Sequence, residues 1–141
     1  MKLPIIYTLV SAVILLTSCN QLSKEEQEFD AIMENVIIVH DEVMPKMTEL
    51  SSLIKNLDPK IDTTAVGKSH AKAQQDLKDS YDFMMEWMRD FSEKFPHTEE
   101  KLSPEKMASQ MNLLKKEEIE VKQLRDQINT SIANAKSLLE K

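Results

Sequence analysis

Gly67 is the one glycine in 141 residues. Phosphate-cradling loops, nucleophile elbows and dinucleotide-binding turns all need glycine where the backbone closes on a ligand or takes a positive φ. None can be built here, which excludes the common nucleotide-binding enzymes. Cysteine is equally scarce: Cys19 stands alone, so an intrachain disulfide and a cysteine-ligated metal site are both impossible. Basic charge is in deficit. A formal net charge of −6 leaves no basic face for nucleic acid and none for a polybasic contact with a membrane surface. Beyond the N-terminal stretch, no apolar run is long enough to cross a bilayer core of roughly 30 Å. No internal repeat with a period of roughly 20–50 residues is visible, and the length suits one domain with a real core.

The N-terminal stretch begins with a charge at Lys2 and continues as an apolar run from Leu9 to Leu16, diluted only by Ser11 and Ala12. Small residues Thr17 and Ser18 stand directly before Cys19. The run is too short to span a membrane and a small-residue cleavage site follows it, so residues 1–18 read as an export signal. Leu16-Thr17-Ser18-Cys19 resembles the lipobox of bacterial lipoproteins. That resemblance implies diacylation of the Cys19 thiol, cleavage between Ser18 and Cys19, and acylation of the new N-terminus. The covalent lipid on Cys19 is then the one prosthetic group expected, and acyl chains are the membrane contact. A free thiol is the alternative. Cleavage leaves residues 19–23 as a lipidated tether and 24–141 as the folded domain, one unit more negative through the loss of Lys2.

Caps and prolines divide that domain into three segments. Ser23-Lys24-Glu25-Glu26 is a capping box, serine before the first turn and glutamate three residues on. The helix it opens is expected to run over about 24–57 and to stop at Asp58-Pro59. Asp62-Thr63-Thr64 offers caps for a second helix over about 63–95, ended by Pro96. Ser103-Pro104-Glu105 opens a third over about 104–140, with a cap, a proline at the first helical position and an acid in the first turn. Phe29, Met33, Val36, His40, Val43, Met47, Leu50, Ile54 and Leu57 alternate in steps of four and three, a heptad seam. Val66, His70, Ala73, Leu77, Tyr81, Met84, Met88, Phe91 and Phe95 form a second stripe. Met107, Met111, Leu114, Val121, Leu124, Ile128, Ile132, Ala135 and Leu139 form a third. Short connections at 58–62 and 96–103 predict antiparallel neighbours. The expected fold is all-α, an antiparallel up-down-up three-helix bundle behind a lipoprotein signal peptide. Pro45 removes one hydrogen bond and crowds the Asp41 carbonyl, and since the seam passes through in register it predicts a bend.

Three features could carry chemistry. His40 interrupts an apolar seam. Reversing the chain near residue 60 and again near residue 99 sets His40 level with Ser80 or Tyr81 and with Glu117 or Glu118. Buried polar groups persist only when paired, so a polar layer of His40, Tyr81 and Glu118 is expected, its simplest role being to fix helix register. The second feature is methionine, nine in all. His40 and Met44 lie one turn apart, as do Met84 and Met88. Imidazole and thioether suit Cu(I), although methionine at seam spacing is first a flexible core filler. Third, aromatics at 81, 83, 87 and 91 cannot all enter one narrow stripe, which predicts that Phe83 or Trp87 lies at the core edge and opens a protein-binding patch. Lys115-Lys116-Glu117-Glu118 reads as a solvated charged face. His70 and His97 have no metal-ligand company. The chain has no nucleophile–base pair and no metal triad, so no catalysis is expected.

His40-Asp41-Glu42-Val43-Met44-Pro45-Lys46-Met47 and Met84-Met85-Glu86-Trp87-Met88 resemble small lipoproteins of Bacteroidetes-type bacteria known as "viral A-type inclusion protein". The resemblance covers the signal and nearly all of the mature chain, and it brings no catalytic residues to carry over. Lys24-Glu25-Glu26 is similar to the basic-then-acidic signals that route some lipoproteins of such bacteria to the cell surface. Together these features predict a lipid-anchored protein of the cell envelope, at the outer membrane, with a structural or protein-binding role and an unidentified protein partner. A small-molecule or Cu(I)-binding module built on His40, Met44, Met84 and Met88 is the alternative.

Overall fold

The computed structural model describes residues 22–97 and 102–140. Ser18 and Cys19, and with them the lipidation and cleavage sites, lie outside the described residues. The described residues are all-helical, with no strand among them: α1 (Lys24–Val43), α2 (Lys46–Leu57), a 3-10 turn (Asp58–Lys60), α3 (Ala65–Lys94) and α4 (Pro104–Leu139).

The caps form where the sequence places them. Ser23 Oγ accepts the Glu26 N–H at 3.1 Å while Glu26 Oε2 accepts the Ser23 N–H at 2.7 Å, closing both halves of the capping box. Ser103 Oγ accepts the Lys106 N–H at 3.3 Å, with Pro104 in the first turn. At the start of α3 the cap is Thr64, whose hydroxyl oxygen accepts the Gly67 N–H at 3.0 Å and donates to Asp62 Oδ1 at 2.5 Å. That hydroxyl first, and the Thr64 N–H second, hold the Asp62 carboxyl below the ordinary aspartate range. Its contribution is therefore present above the unfolded-state value and is lost as pH falls through the lowered one. A Cβ on Gly67 would overlap Asp62 Oδ1 and approach the Asp62 backbone nitrogen to 2.5 Å. Gly67→Ala is accordingly expected to lower the urea midpoint, a loss of about 1 kcal/mol, although alanine is intrinsically the better helix former by roughly that amount. A raised midpoint would show that the turn does not require the close approach.

Pro45 divides the first segment into α1 and α2. Met44 and Pro45 keep right-handed helical dihedrals, with φ of −54° and −60°, and the Met47 N–H is taken by the Met44 carbonyl at 3.1 Å. The α-helical pairing is interrupted, but the apolar face runs through: Val36, Val39 and Val43 are buried before the proline, and Met47, Leu50, Leu53 and Leu57 after it. We refer to α1 and α2 together as the first arm. The seam expected there is close to the observed one, with Val39 and Leu53 added and with Phe29, Met33, His40 and Ile54 only half-buried.

One core joins the three arms. Leu50, Leu57, Leu77, Met84, Leu114, Val121, Leu124 and Ile128 are fully enclosed within it. Contact pairs set the levels. Lys115 meets Glu28 at 2.7 Å, Asn35 meets Glu118 at 2.5 Å, Lys46 meets Asn129 at 2.6 Å, and Lys136 pairs with Glu49, so numbers rise together along the first arm and α4. Between the first arm and α3 they run oppositely: Phe29 meets Phe95, His40 meets Met88, and the Ile54 carbonyl accepts from the Gln74 amide. Lys94 with Glu117 and Ser80 with Ser131 do the same for α3 and α4.

On α3 the expected stripe is rotated. Val66 and Tyr81 are exposed, while Gly67, Gln74, Ser80 and Trp87 are buried in their place. Gly67 is buried because the turn at Asp62 closes directly over it, and Ser80 because it faces Ser131 of α4.

Candidate functional site

Trp87, Phe91 and Phe95 recur at intervals of four, so one face of α3 carries a column of rings. Trp87 and Phe91 stack with centroids 5.0 Å apart, and Phe91 and Phe95 lie 4.9 Å apart. The first arm closes the column at both ends: Phe29 against Phe95 at 6.3 Å, and the His40 ring stacked on Trp87 at 5.8 Å with 30° between planes. Trp87 is only 4% exposed, so it is a core residue and not the edge of a docking patch. Phe83 is half-buried, and Tyr81, 37% exposed, is the aromatic that faces solvent.

The expected layer of His40, Tyr81 and Glu118 does not form. His40 Nδ1 lies 2.9 Å from Asp41 Oδ1, and Nε2 lies 3.3 Å from Met88 Sδ. Glu118 instead accepts from Asn35 Nδ2 and, at 2.6 Å, from Lys122 Nζ. The Lys122 hydrogen bond, aided by Asn35 and opposed by burial, holds the Glu118 carboxyl below its ordinary range. The displacement has a geometric cause. The 3-10 turn Asp58–Lys60 prolongs the first arm, so the chain reverses later than residue 60, and His40 stands level with Met88 and not with Ser80. At the other end, α4 begins at Pro104 but meets Lys94 only at Glu117, about 20 Å further along at ~1.5 Å per residue. The connection over 95–103 has the reach for that offset, at ~3.3 Å per residue.

Two further polar arrangements occupy the interior. Ser80 and Ser131, both buried, face each other with hydroxyl oxygens 3.1 Å apart; Ser80 donates to the Asp76 carbonyl at 2.7 Å and Ser131 to the Ile128 carbonyl at 3.0 Å. A hydroxyl has one proton, so with both given to their own helices the hydrogen bond that crosses from α4 to α3 here is Gln127 Nε2 to Ser80 Oγ, at 3.4 Å. Glu117 is 3% exposed, against the expectation of a solvated run, and its Oε1 accepts from Lys94 Nζ at 2.8 Å. That hydrogen bond raises the Lys94 ammonium above its ordinary range despite partial desolvation. Glu117 Oε2 and Trp87 Nε1 are buried without a protein partner among the described residues. The spacing Met111, Leu114, Glu117, Val121 was the available signal for Glu117, since it continues the apolar stripe without a gap.

A depression of about 390 Å³ between α3 and α4 is lined by Asp76, Asp79, Asp126, Gln127 and Thr130 among others. Its carboxylates already have partners: Lys72 on Asp76, the Gln75 amide on Asp79, and Arg125 on Asp126. Among the described residues, no group of three or more His, Cys, Asp or Glu side chains could hold a metal ion, and no helix is long and apolar enough to cross a membrane. Of the Cu(I) candidates, His40 and Met88 are in contact, Met44 is half-buried one turn from His40, and Met84 is fully enclosed in the core. His70 is buried, with Nδ1 3.2 Å from the Lys60 carbonyl, a local tie across the first connection. No family model matches the chain, and the comparisons with curated proteins and with solved structures find no significant match either.

Proposed function

We propose that this chain is a lipid-anchored protein of the cell envelope, held at the outer membrane through Cys19. Its domain is an antiparallel up-down-up three-helix bundle that acts structurally or by binding a protein, without catalysis and without nucleic acid. The observation that carries the reading is Leu16-Thr17-Ser18-Cys19 behind a charged start and a short apolar run. The order of the interhelical pairs supports the bundle topology. The capping box at Ser23 supports a short tether, because it starts folded structure within a few residues of the acylated cysteine.

Cells fed an alkyne fatty acid are expected to label the wild-type chain and to place it in the detergent phase of envelope extracts. Cys19→Ala is expected to lose the label and keep the leader attached. Mass spectrometry showing Cys19 unmodified in the wild-type protein would overturn the anchor. For the binding role, in-cell cross-linking and affinity recovery of the lipidated chain should yield a reproducible partner, and recovery of the chain alone counts against it. Trp87 is unsuited as a surface probe because it is buried, whereas Tyr81→Ala changes an exposed aromatic with little effect on the core.

A further inference from the structure

His40 is held in an arrangement that its protein neighbours alone do not satisfy when the ring is neutral. An ionised carboxylate only accepts, so the 2.9 Å contact with Asp41 Oδ1 requires the proton on Nδ1. In the neutral ring, Nε2 then carries a lone pair, and that lone pair points at Met88 Sδ, 3.3 Å away. A thioether has no proton to donate. In that tautomer two electron-pair donors face each other across a gap that a positive centre fills, either a second ring proton given to the thioether or a metal ion.

The gap has dimensions that suit a metal ion. An ion about 2.0 Å from a ring nitrogen and about 2.3 Å from a sulfur, the distances zinc keeps to such donor atoms, would make an angle of roughly 100° across a 3.3 Å separation, somewhat below the tetrahedral value. The Nδ1–H···carboxylate contact is the outer-shell arrangement that orients a ligating histidine and raises the basicity of its other nitrogen. Met44, one turn beyond His40 in sequence at the C-terminal cap of α1, is half-buried against the core and is the soft side chain available as a third donor. Trp87 stacks on the imidazole and keeps one side of the pair dry; the His40 side chain is 20% exposed, which leaves an entrance. Thioether and neutral imidazole together select a soft ion over Mg²⁺ or Ca²⁺.

We propose that His40 Nε2 and Met88 Sδ, with Met44 as the third donor, form a binding site for a soft monovalent cation, Cu(I), for which Ag(I) is a redox-inert probe. Asp41 is a positioning residue for the ring. Met84, although one turn from Met88, is not a ligand, because it is closed off in the core. The site depends on the packing of α1 against α3 and not on the lipid anchor, so its failure would leave the envelope reading untouched.

The test is anaerobic competition of the full chain, in detergent, against a chromophoric Cu(I) chelator. Cys19→Ser in all samples removes the one thiol. One equivalent of Cu(I) is expected to bind with Kd tighter than about 1 μM. Met88→Leu and His40→Gln are each expected to weaken binding at least about tenfold, and Met84→Leu to leave it unchanged, with every variant folded at the assay temperature as read by circular dichroism. Ag(I) should quench Trp87 fluorescence in the parent chain and not in Met88→Leu. Affinity weaker than micromolar, or full affinity retained in Met88→Leu, overturns the proposal. The same holds for Trp87 emission that is indifferent to Ag(I).

Discussion

Trp87→Ala is expected to lower unfolding free energy by about 3–5 kcal/mol, the usual loss for truncating a large enclosed aromatic side chain. Trp87 is 4% exposed and is the link between His40 on one side and Phe91 on the other. Removing it forfeits its own transfer from water and leaves a void that stiff helices close only in part. It also removes two ring contacts, each worth roughly 0.5–1.5 kcal/mol beyond area alone. Against a total stability of about 5–15 kcal/mol for a single domain, such a loss brings the variant near its unfolding threshold. Urea denaturation followed by far-ultraviolet circular dichroism measures it, and Tyr81→Ala serves as the exposed reference, expected within about 0.5 kcal/mol of wild type. Equal midpoints for the two variants would show that the ring column contributes nothing to the fold.

Lys94→Ala is expected to cost about 2 kcal/mol, less than the roughly 3–5 kcal/mol of a fully buried pair because the Lys94 ammonium is partly solvated. The loss comes mainly from what is left behind: Glu117 is 3% exposed, its Oε2 has no protein partner among the described residues, and the variant takes the partner of Oε1 as well. The pair also weakens toward alkaline pH in the wild type. The Glu117 hydrogen bond raises Lys94 above its ordinary value, so the pair's contribution is whole below the unfolded lysine value and is lost as pH rises through the raised one. Replacing both partners, Lys94→Met with Glu117→Leu, is expected to be neutral or stabilising, since a matched apolar pair leaves no charge stranded. Chemical denaturation of the wild type, Lys94→Ala and the double variant, at neutral and alkaline pH, checks each sign. A double variant as unstable as Lys94→Ala would show that the ion pair carries more than mutual neutralisation.

Helix existence and helix starts were legible along the chain because both are local. Ser23, Thr64 and Ser103 cap within three residues of themselves, and Pro59, Pro96 and Pro104 act on their immediate neighbours. The apolar periodicity of the first arm predicted most of its buried face, since one element's own 3.6-residue repeat sets which residues point together. Where the prediction went astray, the deciding quantity was relative position. His40 was legible as an anomaly and Met88 as one of its candidate co-ligands, but the polar layer was misplaced, because a few residues' difference in where the chain reverses exchanges Ser80 and Glu118 for Met88 and Trp87. Glu117 looked like part of a solvated run because a string of charges says nothing of which member turns inward.

From its residues alone, this protein is determined to be helical and acidic, with an N-terminal stretch that resembles a lipoprotein leader; the first two properties follow from composition, hydrophobic repeat and short-range capping. Tertiary structure decided the rest: the interruption at Pro45 without loss of the seam, the burial of Trp87 and Glu117, the serine pair between α3 and α4, and the meeting of His40 with Met88. Such outcomes depend on the axial offset between helices, a sum over two connections and the packing of every layer between them. No local stretch of sequence contains that sum.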